Sequence, residues 1–219
     1  MTKEIDEAPQ EQDRKWIVWM SGVVVVIVVL VIVAIWIQHE RMMNPAVSSF
    51  ARTTNSDVTD HEKFAAEYKK LSADNVFVYR QEPEIVKVLE EGNGIAFFCT
   101  AADEWCQYYA PYLNEVAKAK GVEKIFYYDV ANGRSMNSEE YRKIIEMLDG
   151  YTLFDDDGVK QIFIPNTFFV KDGKIIGNES DATEEARGTD ASPEEFWTDE
   201  RIDDLKINLG NYIDMLIVE

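Results

Sequence analysis

The chain has 219 residues, of which 46% are apolar and 12% aromatic, enough for one sizeable hydrophobic core plus accessory segments. Its formal net charge of -19 disfavours binding to nucleic acid or to anionic lipid head groups. The only histidines are His39, beside an apolar N-terminal segment, and His61, at the start of the first predicted helix, so the rest of the chain has none. This excludes Ser-His-Asp and Cys-His catalysis and histidine-ligated metal sites. We therefore expect neither a cofactor nor a bound metal.

An uncharged apolar segment, residues 16–37, is the first element along the chain. Its 22 residues are enough to cross a hydrocarbon core of about 30 Å. A cleaved secretory signal is the alternative, but its apolar region is usually only about 7 to 15 residues long. Arg14 and Lys15, directly before the segment, favour a cytoplasmic N terminus. We predict a cytoplasmic tail over 1–15, a single-pass signal anchor in the cell membrane over 16–37 and an extracytoplasmic C-terminal domain.

A linker and a short helix are predicted to follow the membrane anchor. Residues 38–59 are rich in Ser, Thr and Asn and have no sustained apolar period, which is typical of a linker. The folded domain is predicted to span residues 60–219. Asp60 is predicted to cap its first helix, in which Phe64 and Tyr68 share a face.

Strand-like and helical patterns then alternate as far as a hairpin and a C-terminal helix. In order, the predicted elements are strand 75–80, helix 82–91, strand 94–100, helix 104–120, strand 124–130, a helix opened by 137–140, a hairpin within 161–180 that turns at Asp172-Gly173, and a helix opened by 192–198. The nearly all-apolar run 94–100 indicates a central strand covered on both faces. The predicted fold class is α/β, with a mixed sheet that is parallel in its first part, antiparallel at its end and flanked by helices.

Three sequence features mark the corners of this element order. Cys106 follows a buried strand near the start of a helix, Pro111 lies five residues later, and Ile164-Pro165 precedes a hairpin strand. Together with the element order, these features resemble the thioredoxin superfamily. The resemblance covers about residues 75–219 and extends to membrane-anchored bacterial thioredoxin-like proteins, including bacteriocin transport accessory proteins. It implies a thioredoxin-like mixed β-sheet flanked by helices, with an apolar-Pro peptide bond held cis beside the active site.

The motif that carries the chemistry of that superfamily is altered in this chain. In the superfamily, the first cysteine of C-x-x-C attacks and the more buried second cysteine resolves. If Cys106 is the second cysteine, Asp103 stands at the position of the first, and an aspartate cannot attack a disulfide sulfur. Asp103 is predicted instead to be a helix N-cap, accepting the N–H of Trp105 or Cys106. The alternative role is a catalytic carboxylate.

The two cysteines, Cys99 and Cys106, are open to more than one interpretation. We favour an inert buried thiol for Cys106, because Asp103 and Glu104 offset the effect of the helix N terminus on its pKa. Cys99 ends an apolar strand, where a free cysteine is usually a small core residue. The alternative is a Cys99–Cys106 disulfide, structural or redox-active, which the superfamily does not use. Cys106 is therefore the candidate catalytic residue, and Cys99 is a secondary one.

A binding surface is predicted around the same positions. Asp103, Glu104 and Trp105 begin the helix, and Trp105 in its first turn is predicted to be exposed. Ile164 and Pro165 resemble the edge at which the backbone of the superfamily pairs with a bound peptide strand. Proline is equally needed there for the turn, so its presence indicates fold rather than activity.

These features together predict a membrane-anchored, extracytoplasmic accessory module with a degenerate Asp-Glu-Trp-Cys site. We expect it to bind a peptide or protein partner at the cell surface, to be held in the membrane by residues 16–37, and not to bind nucleic acid. The competing class is a divergent thiol-disulfide oxidoreductase that uses Cys106 alone or with Cys99. A structural subunit of a membrane complex is a third possibility.

Overall fold

The computed structural model describes residues 55–155, 157–180 and 191–217. The predicted cytoplasmic tail and the predicted membrane segment 16–37 lie outside these residues. Within the described ranges, no helix is both long and apolar enough to cross a bilayer. The membrane anchor and its orientation therefore stay predictions.

The described residues form a five-stranded mixed sheet with helices packed on it. The helices are α1 (Asn55–Glu67), α2 (Glu82–Glu91), α3 (Glu104–Ala119), α4 (Val130–Met136), α5 (Glu139–Met147), α6 (Pro193–Phe196) and α7 (Asp199–Ile217). The strands of the sheet are β1 (Phe77–Tyr79), β2 (Gly94–Cys99), β3 (Ile125–Asp129), β6 (Asn166–Lys171) and β7 (Lys174–Glu179), while β4 (Leu153–Phe154) and β5 (Lys160–Gln161) pair separately. The order β1-β3-β2-β6-β7 is parallel from β1 to β2 and antiparallel from β2 to β7, which confirms the predicted mixed sheet.

The central strand β2 is buried along its whole length, as its apolar sequence predicts. Its side chains alternate between two apolar clusters because successive residues of a strand face opposite sides of the sheet. Phe97 and Cys99 pack in the cluster beneath α1, α3 and α7, whereas Ala96 and Phe98 pack in the cluster beneath α2 and α5. Full burial of such side chains stabilises the fold by about 1.5 to 3 kcal/mol each. This packing fixes the end of β2, where Cys99 lies.

The first helix differs from its predicted start at Asp60. The chain is already helical at Asn55, where the described residues begin, so the last residues assigned to the linker belong to α1. Asp57 in the first turn of α1 is buried and pairs with Lys124 at 2.8 Å. Asp60 is not a cap: its Oδ2 accepts the backbone N–H of Tyr79 at 3.0 Å. Tertiary contacts therefore hold a helix in a sequence of low intrinsic helix propensity.

Along the outer edge of β1, two backbone N–H groups donate hydrogen bonds to side-chain oxygens. The N–H of Tyr79 is bonded to the Asp60 carboxylate, and the N–H of Phe77 donates to Oδ1 of Asn75 at 3.1 Å. The opposite side of β1 pairs with β3. Both donors are thus satisfied without a further strand.

Two elements next to the sheet, α4 and the β4–β5 hairpin, are absent from the sequence-based prediction. Helix α4 starts directly after β3, where the Asp129 side chain accepts the N–H of Ala131 at 3.0 Å. Its Gly133 permits close packing, because a Cβ there would lie 2.1 Å from the hydroxyl oxygen of Tyr128. Helix α5 follows and is capped by Ser138, whose Oγ accepts the N–H of Tyr141 at 3.0 Å.

Near the C terminus, the predicted hairpin turn is confirmed, whereas the predicted C-terminal helix is divided in two. Asp172 and Gly173 both have positive φ, 51° and 68°, as a tight two-residue hairpin turn requires. A Cβ at Gly173 would lie 2.1 Å from the carbonyl oxygen of Glu90, so the turn is closely packed on α2. Residues 192–198 are predicted to open one C-terminal helix. In the structure, Ser192 and Glu195 form a capping box that opens the short α6, and α7 follows as a separate helix.

Candidate functional site

A disulfide joins the two cysteines of the chain. Cys99 is the last residue of β2, Cys106 lies in the first turn of α3, and their Cα atoms are 5.9 Å apart. The preferred expectation of two free thiols is therefore wrong, and the alternative of a Cys99–Cys106 bond is the one observed. The physical reason is the tight connection, in which the N–H of Asp103 donates to the carbonyl of Thr100 and the chain folds back within disulfide range. Both cysteines are 0% exposed.

Asp103 is the N-cap of α3, as predicted. Its backbone is extended, and its Oδ1 accepts the N–H of Cys106 at 2.8 Å, a bond that stabilises a helix by about 1 kcal/mol. Burial raises the pKa of the Asp103 carboxyl above its usual value, while the N–H groups of Cys106 and Trp105 and the charge of Arg134 act to lower it. The carboxylate of Asp103 thus serves as a hydrogen-bond acceptor at the start of α3.

The aromatic residue of the motif, Trp105, is half-buried rather than exposed. Its ring lies 5.1 Å from that of Phe196 in an edge-on arrangement, because α6 packs across the start of α3. Glu104 beside it is exposed. One turn further along α3, Tyr109 is buried, and its hydroxyl is 2.9 Å from Oγ1 of Thr167. The surface at the start of α3 therefore consists of Glu104 and part of Trp105.

The Ile164–Pro165 peptide bond is cis, as the resemblance implies. The antiparallel register places Asn166 opposite Phe98, so Pro165 lies alongside the end of β2, next to Cys99. Pro165 itself is buried, whereas Ile164 is half-buried. Of the two residues predicted to form a peptide-contacting edge, Ile164 is therefore the one that contributes side-chain surface.

The structure adds Arg134 to the candidate site. A hydrogen bond runs from Nη2 of Arg134 to the carbonyl oxygen of Ile162, two residues before Ile164, and the guanidinium charge acts on the carboxylate of Asp103. Arg134 thus connects α4 to both halves of the predicted binding surface. No sequence motif marks this residue, since its position depends on the packing of α4 against the segment before β6.

Metal binding has no support in the described part of the chain, which contains no group of three or more His, Cys, Asp or Glu side chains placed to hold an ion. Asp155 belongs instead to an acidic turn. Its Oδ1 accepts the N–H groups of Asp157 and Val159, and its Oδ2 accepts the side-chain N–H of Gln161. The Asp155 carboxylate is therefore taken up by the turn that it organises.

Fold and site define an α/β protein with a mixed five-stranded sheet, in which a buried disulfide closes the corner between the central strand and the following helix. In comparisons with known proteins, no protein-family model matches this chain, and no curated protein shows significant similarity to it. At this corner Asp103 caps α3, the Ile164–Pro165 bond is cis, and the two cysteines are bonded to each other.

Proposed function

We propose that the chain is a membrane-anchored, extracytoplasmic protein of thioredoxin-like fold that binds an extended peptide or a protein partner and does not run a thiol-disulfide cycle. Residues 16–37 are its anchor, and the binding surface comprises Asp103, Glu104, Trp105 and Ile164, beside the cis Pro165. The observation that carries the proposal is the complete burial of both cysteines behind an aspartate N-cap.

Three features support the thioredoxin-like part of the proposal. The sheet order puts the antiparallel hairpin β6–β7 beside the central strand β2. A cis Ile164–Pro165 bond enters β6 next to the end of β2. Cys106 lies in the first turn of α3, and Pro111 lies inside the same helix five residues on. These features occur together at one corner of the sheet, where the superfamily has its active site.

We expect no redox cycle because an external thiolate cannot reach the sulfur atoms of the disulfide. Thiol-disulfide exchange requires a thiolate to approach a disulfide sulfur in line, so a disulfide that solvent cannot reach reacts slowly. Cys99 and Cys106 are 0% exposed, and the residue that would carry an exposed attacking thiol is Asp103. The disulfide then acts as a structural bond that ties the end of β2 to the start of α3.

Binding is supported by what this corner leaves at the surface. Glu104 is exposed, and the side chains of Trp105 and Ile164 are half-buried against the same apolar cluster. Half-buried apolar side chains beside an acidic one suit a peptide that brings apolar groups. The structural subunit of a membrane complex is the limiting case in which the partner stays bound.

Glutathione exchange tests the non-redox part of the proposal. The purified full-length chain is incubated with reduced glutathione, folded or in denaturant, and its thiols are then labelled with a maleimide of known mass. We expect no label on the folded chain and two labels on the denatured chain. Rapid labelling of both cysteines in the folded chain would favour the second candidate, an oxidoreductase that uses the Cys99–Cys106 pair, for which the observed disulfide is the supporting observation.

Restoring the superfamily motif provides the matched variant. Asp103→Cys places a thiol at the first turn of α3, three residues before Cys106, and we expect the variant to form a 103–106 bond and to reduce insulin disulfides where the wild-type chain does not. Asp103→Ser keeps a capping oxygen and adds no thiol, so it serves as the inactive control. If Asp103→Cys forms no bond with Cys106, the alignment of this corner with the superfamily site is incorrect.

Photo-crosslinking tests the binding part. A benzophenone amino acid at position 105 or 164 is expected to capture the same partner in cells, because both positions face the proposed surface. The control position is Lys87 on α2, whose side chain is 76% exposed and packs in neither apolar cluster. Equal capture from all three positions would contradict a specific surface at this corner.

A further inference from the structure

A cleft of about 470 Å³ lies between helices α4 and α5 and the β4–β5 hairpin. Its volume falls in the range of small-ligand sites, roughly 300 to 1,000 Å³. The helices contribute Arg134, Tyr141 and Arg142, and the hairpin contributes Val159 and Lys160. Of these residues, only Arg134 belongs also to the candidate site, so the cleft adjoins that site but has its own lining.

The carboxylates along the cleft are largely engaged by the protein itself. Asp149 forms an ion pair with Lys160, and Asp155 is taken up by the acidic turn. Glu146 lies one helical turn from Arg142 without closing an ion pair with it in the described residues.

Both arginines of the cleft donate hydrogen bonds to backbone carbonyl oxygens. Arg142 donates to the carbonyl oxygen of Asn137, and Arg134 donates to that of Ile162. Among the described residues, neither guanidinium is paired with a carboxylate. In a chain with a formal charge of -19, two such cations in one cleft would favour an anionic ligand.

The cleft also contains polar atoms that the described residues leave unsatisfied. Nε of Arg134 is buried without a hydrogen-bond partner, and so is the hydroxyl of Tyr141, a residue that is only 5% exposed. The charge of the guanidinium and a hydrogen bond from Arg134 both act to lower the pKa of that hydroxyl against the effect of burial, so the two groups are close together, although neither Nε of Arg134 nor the hydroxyl meets full hydrogen-bond geometry. Buried donors without partners are few in native proteins and are expected where a ligand completes the site.

We infer that this cleft binds the carboxylate of a peptide, through the guanidinium groups of Arg134 and Arg142. A guanidinium presents a planar fork of donors that matches the two oxygens of a carboxylate, and such charge-assisted hydrogen bonds are strong. Arg134 is bonded to Ile162, two residues before Ile164, so the cleft continues the proposed peptide-binding surface. The peptide as ligand rests on the proposed function, whereas the carboxylate chemistry rests on the cleft alone.

The carboxylate has two sources on a peptide, the C terminus and an acidic side chain. Next to the cleft, the hairpin presents the apolar side chains of Phe154, 65% exposed, and Val159, 58% exposed. A peptide that ends in the cleft can lay its last apolar residues on this hairpin, and capture of a terminal carboxylate is a known mode of peptide recognition.

Acetate tests the carboxylate chemistry without a peptide. The full-length chain in detergent micelles is labelled with ¹⁵N, and the arginine Nε–H resonances are followed as sodium acetate is added, with acetamide and sodium chloride as controls. We expect the resonances of Arg134 and Arg142 to shift and saturate with acetate alone, while that of Arg80, which pairs with Glu84 elsewhere, does not move. No selective shift at the two cleft arginines would overturn the inference.

Substitutions of the two arginines then test whether acetate binds in this cleft. Arg134→Gln is expected to weaken acetate binding about tenfold or more, as loss of a charge-assisted bond implies. Arg142 is exposed, so Arg142→Gln will fold even if Arg134→Gln does not, and it is expected to weaken binding several-fold. The matched control is Arg80→Gln, which removes the same charge from a residue outside the cleft. If Arg142→Gln binds acetate like the wild-type chain, the assignment to this cleft is wrong.

Peptide pools separate the two sources and keep the inference distinct from the proposed function. Fluorescein-labelled random hexapeptides are compared with a free C terminus and with an amidated one, with and without internal Glu. Tighter binding of the free-terminus pool, lost in Arg142→Gln, supports C-terminal capture, and dependence on internal Glu supports an acidic side chain. Equal binding of all pools overturns the inference and leaves the proposed function standing. Binding of no pool, with acetate still shifting both arginines, contradicts the proposed function instead.

Discussion

The corner closed by the Cys99–Cys106 disulfide and the cleft beside α5 both contain buried polar side chains, but the two regions differ in how far these side chains are hydrogen-bonded. At the corner, Asp103 accepts the N–H of Cys106, Tyr109 contacts Thr167, and the cysteines are bonded to each other. In the cleft, the hydroxyl of Tyr141 and Nε of Arg134 have no hydrogen-bond partner among the described residues. The polar groups at the corner are thus bonded to one another, whereas two polar atoms of the cleft are left for other partners.

The largest expected effect is on the corner, when its disulfide is removed. Cys99→Ala with Cys106→Ala is expected to lower the free energy of unfolding by about 2 to 3 kcal/mol, because the bond closes a short loop in the unfolded chain. Denaturant unfolding followed by tryptophan fluorescence measures this loss, and acetate binding at the cleft should be unchanged. A double variant as stable as the wild-type chain would show that the bond has no structural role.

A matched pair of tyrosine variants contrasts the two regions directly. Tyr109→Phe removes a buried hydroxyl that contacts Thr167 and is expected to cost about 1 kcal/mol of unfolding free energy. Tyr141→Phe removes a buried hydroxyl without a partner and is expected to be neutral or stabilising. Thermal or denaturant unfolding of both variants gives the comparison. Equal losses would mean that the hydroxyl of Tyr141 is satisfied in the folded chain.

The smallest expected effect concerns the charge of Asp103. Burial raises the pKa of this carboxyl above 3.8, so the folded chain binds its proton more readily than the unfolded chain. Its contribution to stability is therefore greatest below that value and falls as the pH rises through the folded pKa. Asp103→Asn keeps the capping oxygen without the charge, and we expect it to equal or slightly exceed the wild-type stability at neutral pH.

The control for this experiment is Asp103→Ala, which loses the cap and should be less stable at every pH by about 1 kcal/mol. Unfolding midpoints are compared across acidic and neutral pH. An advantage of Asp103→Asn over the wild-type chain that grows as the pH falls would contradict a raised pKa of Asp103 in the folded state.

Sequence reasoning succeeded where a local signal determines the backbone. The apolar run of β2, the N-cap at Asp103 and the turn at Asp172-Gly173 each follow from residues close together in the chain. The elements that the sequence did not predict, such as the start of α1, are stabilised by contacts between residues far apart in the chain. Helix α1 includes residues assigned to a linker, and its Asp57 is held by Lys124, which is distant in sequence.

The candidate site was predictable only in part for the same reason. The N-cap position of Asp103 could be predicted from its spacing to Cys106 and Pro111. The Cys99–Cys106 bond could not, because it depends on the fold of the connection between β2 and α3, which brings the two cysteines together. Arg134 carried no sequence signal, because its role depends on an unpredicted helix, α4.

The side chains along the outer edge of β1 have a consequence for self-association. An uncovered edge strand can template the addition of a strand from another molecule and so begin aggregation. Because Asp60 and Asn75 already take up the N–H groups of Tyr79 and Phe77, an incoming strand would have to displace both side chains before it could pair. The side chains of Asp60 and Asn75 therefore oppose growth of the sheet through the edge at β1.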